Sequence, residues 1–157
     1  MRALWLCVLI LVATVVGVPA VMADVAPPPV GGTEAFERAY AASFYEFDAC
    51  GDGIAGRTYR FALTAKVKQC PFAEETKQRF VARAAVQRRK SGQLLAKLIE
   101  DHGGLPMRLE GMTRTCREQM DSPEYRAVRS RLDAYGSGKA GVDSVVAAPC
   151  DAAEITP

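Results

Sequence analysis

The chain has 157 residues, with 20 Lys and Arg against 18 Asp and Glu, five cysteines and a single histidine. This near-neutral balance argues against a dedicated nucleic-acid binder, whose affinity rests on a strong cationic excess. One histidine makes a Cys/His zinc cluster a poor reading.

The first element is an export signal. Arg2 is followed by an uncharged apolar run from Ala3 to Val18, then by Pro19, the small-residue exit Val21-Met22-Ala23 and the first acid, Asp24. A charged start, an apolar middle and a small-residue exit describe a secretory leader cut after Ala23. The uncharged stretch from Ala3 to Ala23 also has the length to cross a bilayer of about 30 Å as an anchor. Pro19 and the peptidase-compatible Val21 and Ala23 favour cleavage. Cys7 lies too early, among bulky neighbours, to be acylated and leaves with the leader. Residues 24–32, with Ala26-Pro27-Pro28-Pro29, read as an extended, flexible N-terminus. Residues 33–157 then form a single helical domain with no second apolar run of spanning length.

Charge divides along that domain. Asp24 to Gly56 has six acids and one base, Arg57 to Cys116 thirteen bases and five acids, and Arg117 to Pro157 five bases and seven acids. An acidic beginning and a basic middle are expected to neutralise each other in the fold.

A first helix is expected from Thr33 to Cys50. Thr33 caps it, Glu34 and Glu37 suit its positive end, and Phe36, Tyr40, Phe44 and Phe47 share one face. Gly51 ends it. From Gly56 to Gln69 two patterns compete. Tyr59, Phe61, Leu63, Ala65 and Val67 alternate as in a strand, whereas Tyr59, Leu63, Val67 and Cys70 make a helical stripe. A lone strand would leave its backbone groups unpaired, so helix is the expectation.

The third helix starts at Pro71 and runs to about His102, where Gly103-Gly104 and Pro106 end it. Phe80, Val81, Ala84, Leu94, Leu95, Leu98 and Ile99 gather on its expected buried side, Arg79, Arg83, Lys90 and Lys97 on the other, and Ser91-Gly92 is a place to bend. A fourth helix begins near Pro106 with a narrow seam of Leu109, Met112, Cys116 and Met120. Ser122-Pro123-Glu124 restarts a fifth, burying Tyr125, Val128, Leu132 and Tyr135 and ending at Gly136. The tail holds one apolar patch, Val142 to Val146, before Pro149-Cys150.

Cys50, Cys70, Cys116 and Cys150 are an even set in an exported chain, which reads as two disulfides. No Cys-x-x-Cys motif points to redox or haem chemistry. Three connectivities are open. An up-and-down bundle sets Cys70 and Cys116 at similar heights, favouring Cys70–Cys116 with Cys50–Cys150.

Catalytic signals are weak. Asp48, Cys50, Asp52 and Gly53 resemble a calcium loop only in part, since Cys50 is no oxygen ligand and the twelfth position from Asp48 is Tyr59, not an acid. Asp101-His102 are sequence neighbours that do not face each other on a helix. No Gly-x-Ser-x-Gly elbow occurs. Glu46 with Asp52, or Glu100 with Asp101, offer carboxylate pairs for glycoside chemistry. The cationic stripe is the sharpest candidate: Arg83, Lys90 and Lys97 recur every seven residues, with Arg79 one turn earlier and Arg88 and Arg89 beside them. It suits an anionic partner such as lipopolysaccharide, phospholipid headgroups or an acidic envelope protein. With no aromatics interleaved, it does not suit nucleic-acid bases.

The expectation is an all-α, compact bundle of four to five helices, stapled by two disulfides, exported to the periplasm or beyond from a bacterial cell. It is expected to be a non-enzymatic binding or interaction protein, without cofactor or metal, whose partner the sequence does not identify. Electrostatic docking to anionic envelope components and a small carboxylate hydrolase are the alternatives.

Overall fold

A computed structural model of the chain describes residues 32–101 and 110–157. The expected leader, with Cys7, the proline-rich stretch as far as residue 31, and His102 to Leu109 lie outside the described residues. So do the side chains of Leu95, Leu98, Ile99 and Asp101, and those of residues 110–115, Met112 among them. Among the described residues the structure is all-helical, with five α-helices and no strand.

Helix α1 spans Glu34–Glu46, with Glu34 and Glu37 in its first turn. It stops four residues before the expected end at Cys50. The Phe47 carbonyl accepts from both Cys50 N (3.2 Å) and Asp52 N (3.0 Å), which tightens the chain into a 3-10 turn over Asp48–Cys50. Gly51 then reverses the chain at φ +90°, the left-handed region glycine enters without strain. Thr33 does not cap through its side chain; its hydroxyl donates instead to Glu37 Oε1 at 2.9 Å.

Helix α2, Gly53–Gln69, is the centre of the fold. Asp52 caps it, its carboxylate accepting from Ala55 N at 3.0 Å. Tyr59, Ala62, Leu63 and Val67 are fully buried while Phe61 is exposed. This is a helical stripe and not the alternation of a strand. Helix α2 packs against α1, against helix α5 (Pro123–Gly136) and against the tail. Phe47 bridges from α1 to Tyr59 and Tyr125, with ring centroids 5.6 and 6.0 Å apart.

Helix α3, Glu74–Asp101, is continuous through Ser91-Gly92 and, at 1.5 Å per residue, about 42 Å long. Its expected apolar side is buried only near its beginning. Phe80 is 0% exposed, yet Val81 is exposed and Leu94 is 53% exposed. Among the described elements α3 touches only α1 and α2, so nothing there covers its second half.

Helix α4, Glu110–Asp121, packs on α5 and on the 3-10 turn after α1. Helix α5 starts as expected, with Ser122 Oγ accepting from Tyr125 N at 3.1 Å and Pro123 in the first turn. It buries Tyr125 and Leu132. The tail turns at Gly138 (φ +72°) and returns over α2, burying Val142, Val145, Val146 and Ile155. Lys66 of α2 pairs with Asp143 of the tail.

Both disulfides form, but interleaved along the chain and not nested as expected. Cys50 joins Cys116 (Cα–Cα 5.2 Å) and Cys70 joins Cys150 (Cα–Cα 5.6 Å). The expected Cys70–Cys116 and Cys50–Cys150 pairs are corrected for a packing reason. Helix α4 lies against the turn that holds Cys50, not beside the end of α2. The tail crosses α2 and so brings Cys150 to Cys70.

Candidate functional site

Helices α1 and α3 run antiparallel. Tyr40 meets Phe80 edge-on with centroids 6.1 Å apart. Three residues earlier on α1, Glu37 accepts from Arg83, three residues later on α3, at 2.8 and 3.0 Å. Between the two helices lies an open groove of about 650 Å³, within the range of ligand and peptide sites. Its floor is Tyr40, Ala41, Phe80, Ala84 and Val86, and its rim carries Glu34, Glu37, Arg38, Arg83 and Gln87. The groove exists because Ala41 and Ala84 are too small to close the space between the two backbones. Val86, at its open end, is 40% exposed.

The cationic stripe divides in two. Arg79 pairs within its own helix with Glu75 at 3.0 Å, and Arg83 pairs across the groove with Glu37. The Arg83–Glu37 hydrogen bond raises the pKa of an already permanent guanidinium charge. Lys90, Lys97, Arg88 and Arg89 are exposed, with no ion pair among the described residues. The structure thus places Arg83 on the groove rim, and Lys90 and Lys97 farther along the uncovered length of α3. The expected neutralisation of the basic middle by the acidic beginning is realised at Glu37–Arg83 and at the Asp48–Arg60 pair and, among the described residues, goes no farther along α3.

The acids near the α1–α2 junction have structural partners. Asp48 pairs with the buried Arg60 at 3.0 Å; Arg60 also donates to Ser43 Oγ (3.1 Å) and lies 4.0 Å over the Phe44 ring. Besides capping α2, Asp52 accepts from Tyr125 Oη at 2.9 Å and pairs with Arg129 at 3.1 Å. Burial, followed by the Asp52 hydrogen bond, raises the Tyr125 pKa well above the ordinary phenol value. Glu46 differs: its Oε2 and the Tyr59 hydroxyl are buried without a hydrogen-bond partner among the described residues. Desolvation raises the Glu46 pKa; desolvation and then the Glu46 charge raise that of Tyr59. The structure therefore gives Asp48 and Asp52 different partners and does not join Glu46 and Asp52 by any hydrogen bond. Among the described residues, no three of His, Cys, Asp and Glu gather as a metal site would require. No described helix is long and apolar enough to cross a membrane.

Of the expected cationic stripe the groove takes in Arg83, and it also takes in Tyr40 and Phe80, which sequence reasoning assigned to the core alone. Sequence reasoning missed the groove, whose signal is the alanine pair Ala41 and Ala84 beside them. No protein-family model matches the chain, and comparison with curated proteins and with solved structures gives no match either.

Proposed function

We propose that this chain is an exported, non-enzymatic helical protein that acts by binding, through the α1–α3 groove and the length of α3 that continues beyond it. The observation that carries this reading is the change of exposure along one side of α3, from Phe80 at 0% to Leu94 at 53%. An apolar side that leaves its own core and stays exposed marks an interaction surface. Two disulfides support an oxidising compartment, and the leader in the sequence supports export. The occupation of Asp48 and Asp52 by Arg60, Tyr125 and Arg129 favours binding over carboxylate hydrolysis.

The test is photo-crosslinking in the native host from benzophenone residues at Val86 and Leu94, with Arg131, on α5, as control. Defined protein adducts at the first two positions and none at the third are expected. Equal labelling at all three, or none, refutes the reading. Mass spectrometry of the recovered protein, expected to begin at Asp24, checks export.

A second reading, docking to anionic envelope lipid, rests on Lys90 and Lys97, which have no ion pair among the described residues. It requires co-sedimentation with anionic vesicles that fades steeply with salt.

A further inference from the structure

Starting from the reading of α3 as a binding surface, we infer that its partner is an acidic amphipathic helix, which docks antiparallel along the second half of α3 and continues the packing that α1 begins. The antiparallel register that sets Tyr40 against Phe80 and Glu37 against Arg83 sets Glu34, the first residue of α1, opposite Val86, and both line the groove. Beyond that point α3 runs on from Gln87 to Asp101, about 22 Å, with no described helix beside it.

The α3 sequence keeps the same pattern across that boundary. The residues facing α1 and those after them fall at Phe80, Ala84, Gln87, Ser91 and Leu94, in steps of four, three, four and three, and the sequence repeats the step at Leu98. That is the heptad spacing of a helix-pairing seam. Arg83, Lys90 and Lys97 flank the seam on one side at a constant seven. At the first repeat the flanking cation already has its partner: a carboxylate on an antiparallel helix, Glu37, seated next to an aromatic contact. Lys90 and Lys97 present the same chemistry one and two heptads on, without carboxylate partners among the described residues. A helix that extends the line of α1, with apolar residues on its seam and Glu or Asp flanking it every seven, completes the arrangement. It is helix-in-groove recognition.

Charge selects among the other occupants. A second copy pairing antiparallel through α3 would set its own flanking cations against Lys90 and Lys97, a like-charge contact. A lipid surface needs positive charge but no seven-residue spacing, and Glu100 and Asp101 at the helix end oppose it.

The experiment uses the full exported chain with both disulfides formed and two synthetic helical peptides, measured by fluorescence anisotropy. One peptide has a leucine seam flanked by Glu; its twin has Lys at every flanking Glu. The Glu peptide is expected to bind about tenfold more tightly, the scale of two or three exposed ion pairs turned from attraction to repulsion. Lys90→Glu with Lys97→Glu inverts the preference, and Leu94→Asp abolishes binding of either peptide. These three residues are exposed, so the variants fold. Equal affinity for the two peptides overturns the inference, as does no binding. It is also overturned by binding that appears only after residues 24–31 are deleted, by a dimer that Leu94→Asp dissolves, or by anionic vesicles that bind and that the Glu peptide does not displace. Crosslinks at Leu94 that persist while the peptides bind equally leave the binding role standing and remove the acidic helix alone.

Discussion

Replacing Gly56 with alanine tests the packing at the α1–α2 junction, because two effects there oppose each other. Inside a helix the change from glycine to alanine gains about 1 kcal/mol. At Gly56 an added Cβ falls well inside contact distance of Asp48 Oδ1, 3.0 Å from Arg60 Nη1 and 3.1 Å from Phe47 Cβ. Asp48 must move, and with it the ion pair that holds the buried Arg60. Removing one partner of a fully buried pair costs about 3–5 kcal/mol. Asp48 is partly exposed and Arg60 keeps Ser43 and the Phe44 ring, so a loosened pair together with local overpacking is set at about 3 kcal/mol. The net expectation is about 2 kcal/mol of destabilisation. Gly92, also within a helix, has nothing within 4 Å of an added Cβ, and Gly92→Ala should stabilise by up to about 1 kcal/mol. Urea unfolding of the oxidised protein, followed by circular dichroism, measures both. In an Asp48→Ala background the Gly56→Ala penalty should shrink by at least about 1 kcal/mol, the coupling expected of groups in contact. A Gly56→Ala protein as stable as the parent, or an unchanged penalty in that background, refutes the reasoning.

Phe80→Ala should cost about 3–5 kcal/mol in the same urea assay, because removing a fully buried ring that packs against Tyr40 leaves a cavity where α3 meets the core. Removing the Cys70–Cys150 bridge, which closes a separation of 80 residues, should cost up to about 4.5 kcal/mol in the chain-entropy picture, and removing Cys50–Cys116, with a separation of 66, nearly as much. Paired Cys→Ala variants compared by thermal unfolding check this, and the non-reduced peptide map must show Cys50 with Cys116. Burial raises the Glu46 pKa above its ordinary value of 4.5, so the folded state binds the extra proton. Stability from this group is therefore full below that value and is lost as pH rises through it toward the folded pKa. Glu46→Gln should raise the urea midpoint at neutral pH and lose that advantage at acidic pH; an equal gain at both pH values would show that the carboxyl is not responsible.

Helical class, the fifth-helix cap at Ser122, the reversal at Gly51 and the buried stripe of α2 were legible because each is a local signal, a cap, a glycine or a period. The disulfide partners were not, because they depend on where α4 and the tail lie, and neighbouring helices of similar length leave that open in sequence. Periodicity also assigned Leu94 to the core with Phe80. It reports which side of a helix is apolar, not whether the rest of the chain reaches far enough to cover it. That Lys90 and Lys97 have no ion pair among the described residues was hidden for the same reason, since the acid that neutralises Arg83 sits in the first turn of α1, which does not extend alongside them.

Because Cys50–Cys116 and Cys70–Cys150 interleave along the chain, the molecule resists dismemberment as well as unfolding. A protease that nicks the backbone once between Cys50 and Cys70 and again between Cys116 and Cys150 yields three fragments, yet each is still tethered to another, and none diffuses away. A nested arrangement would have surrendered its middle piece after the same two cuts.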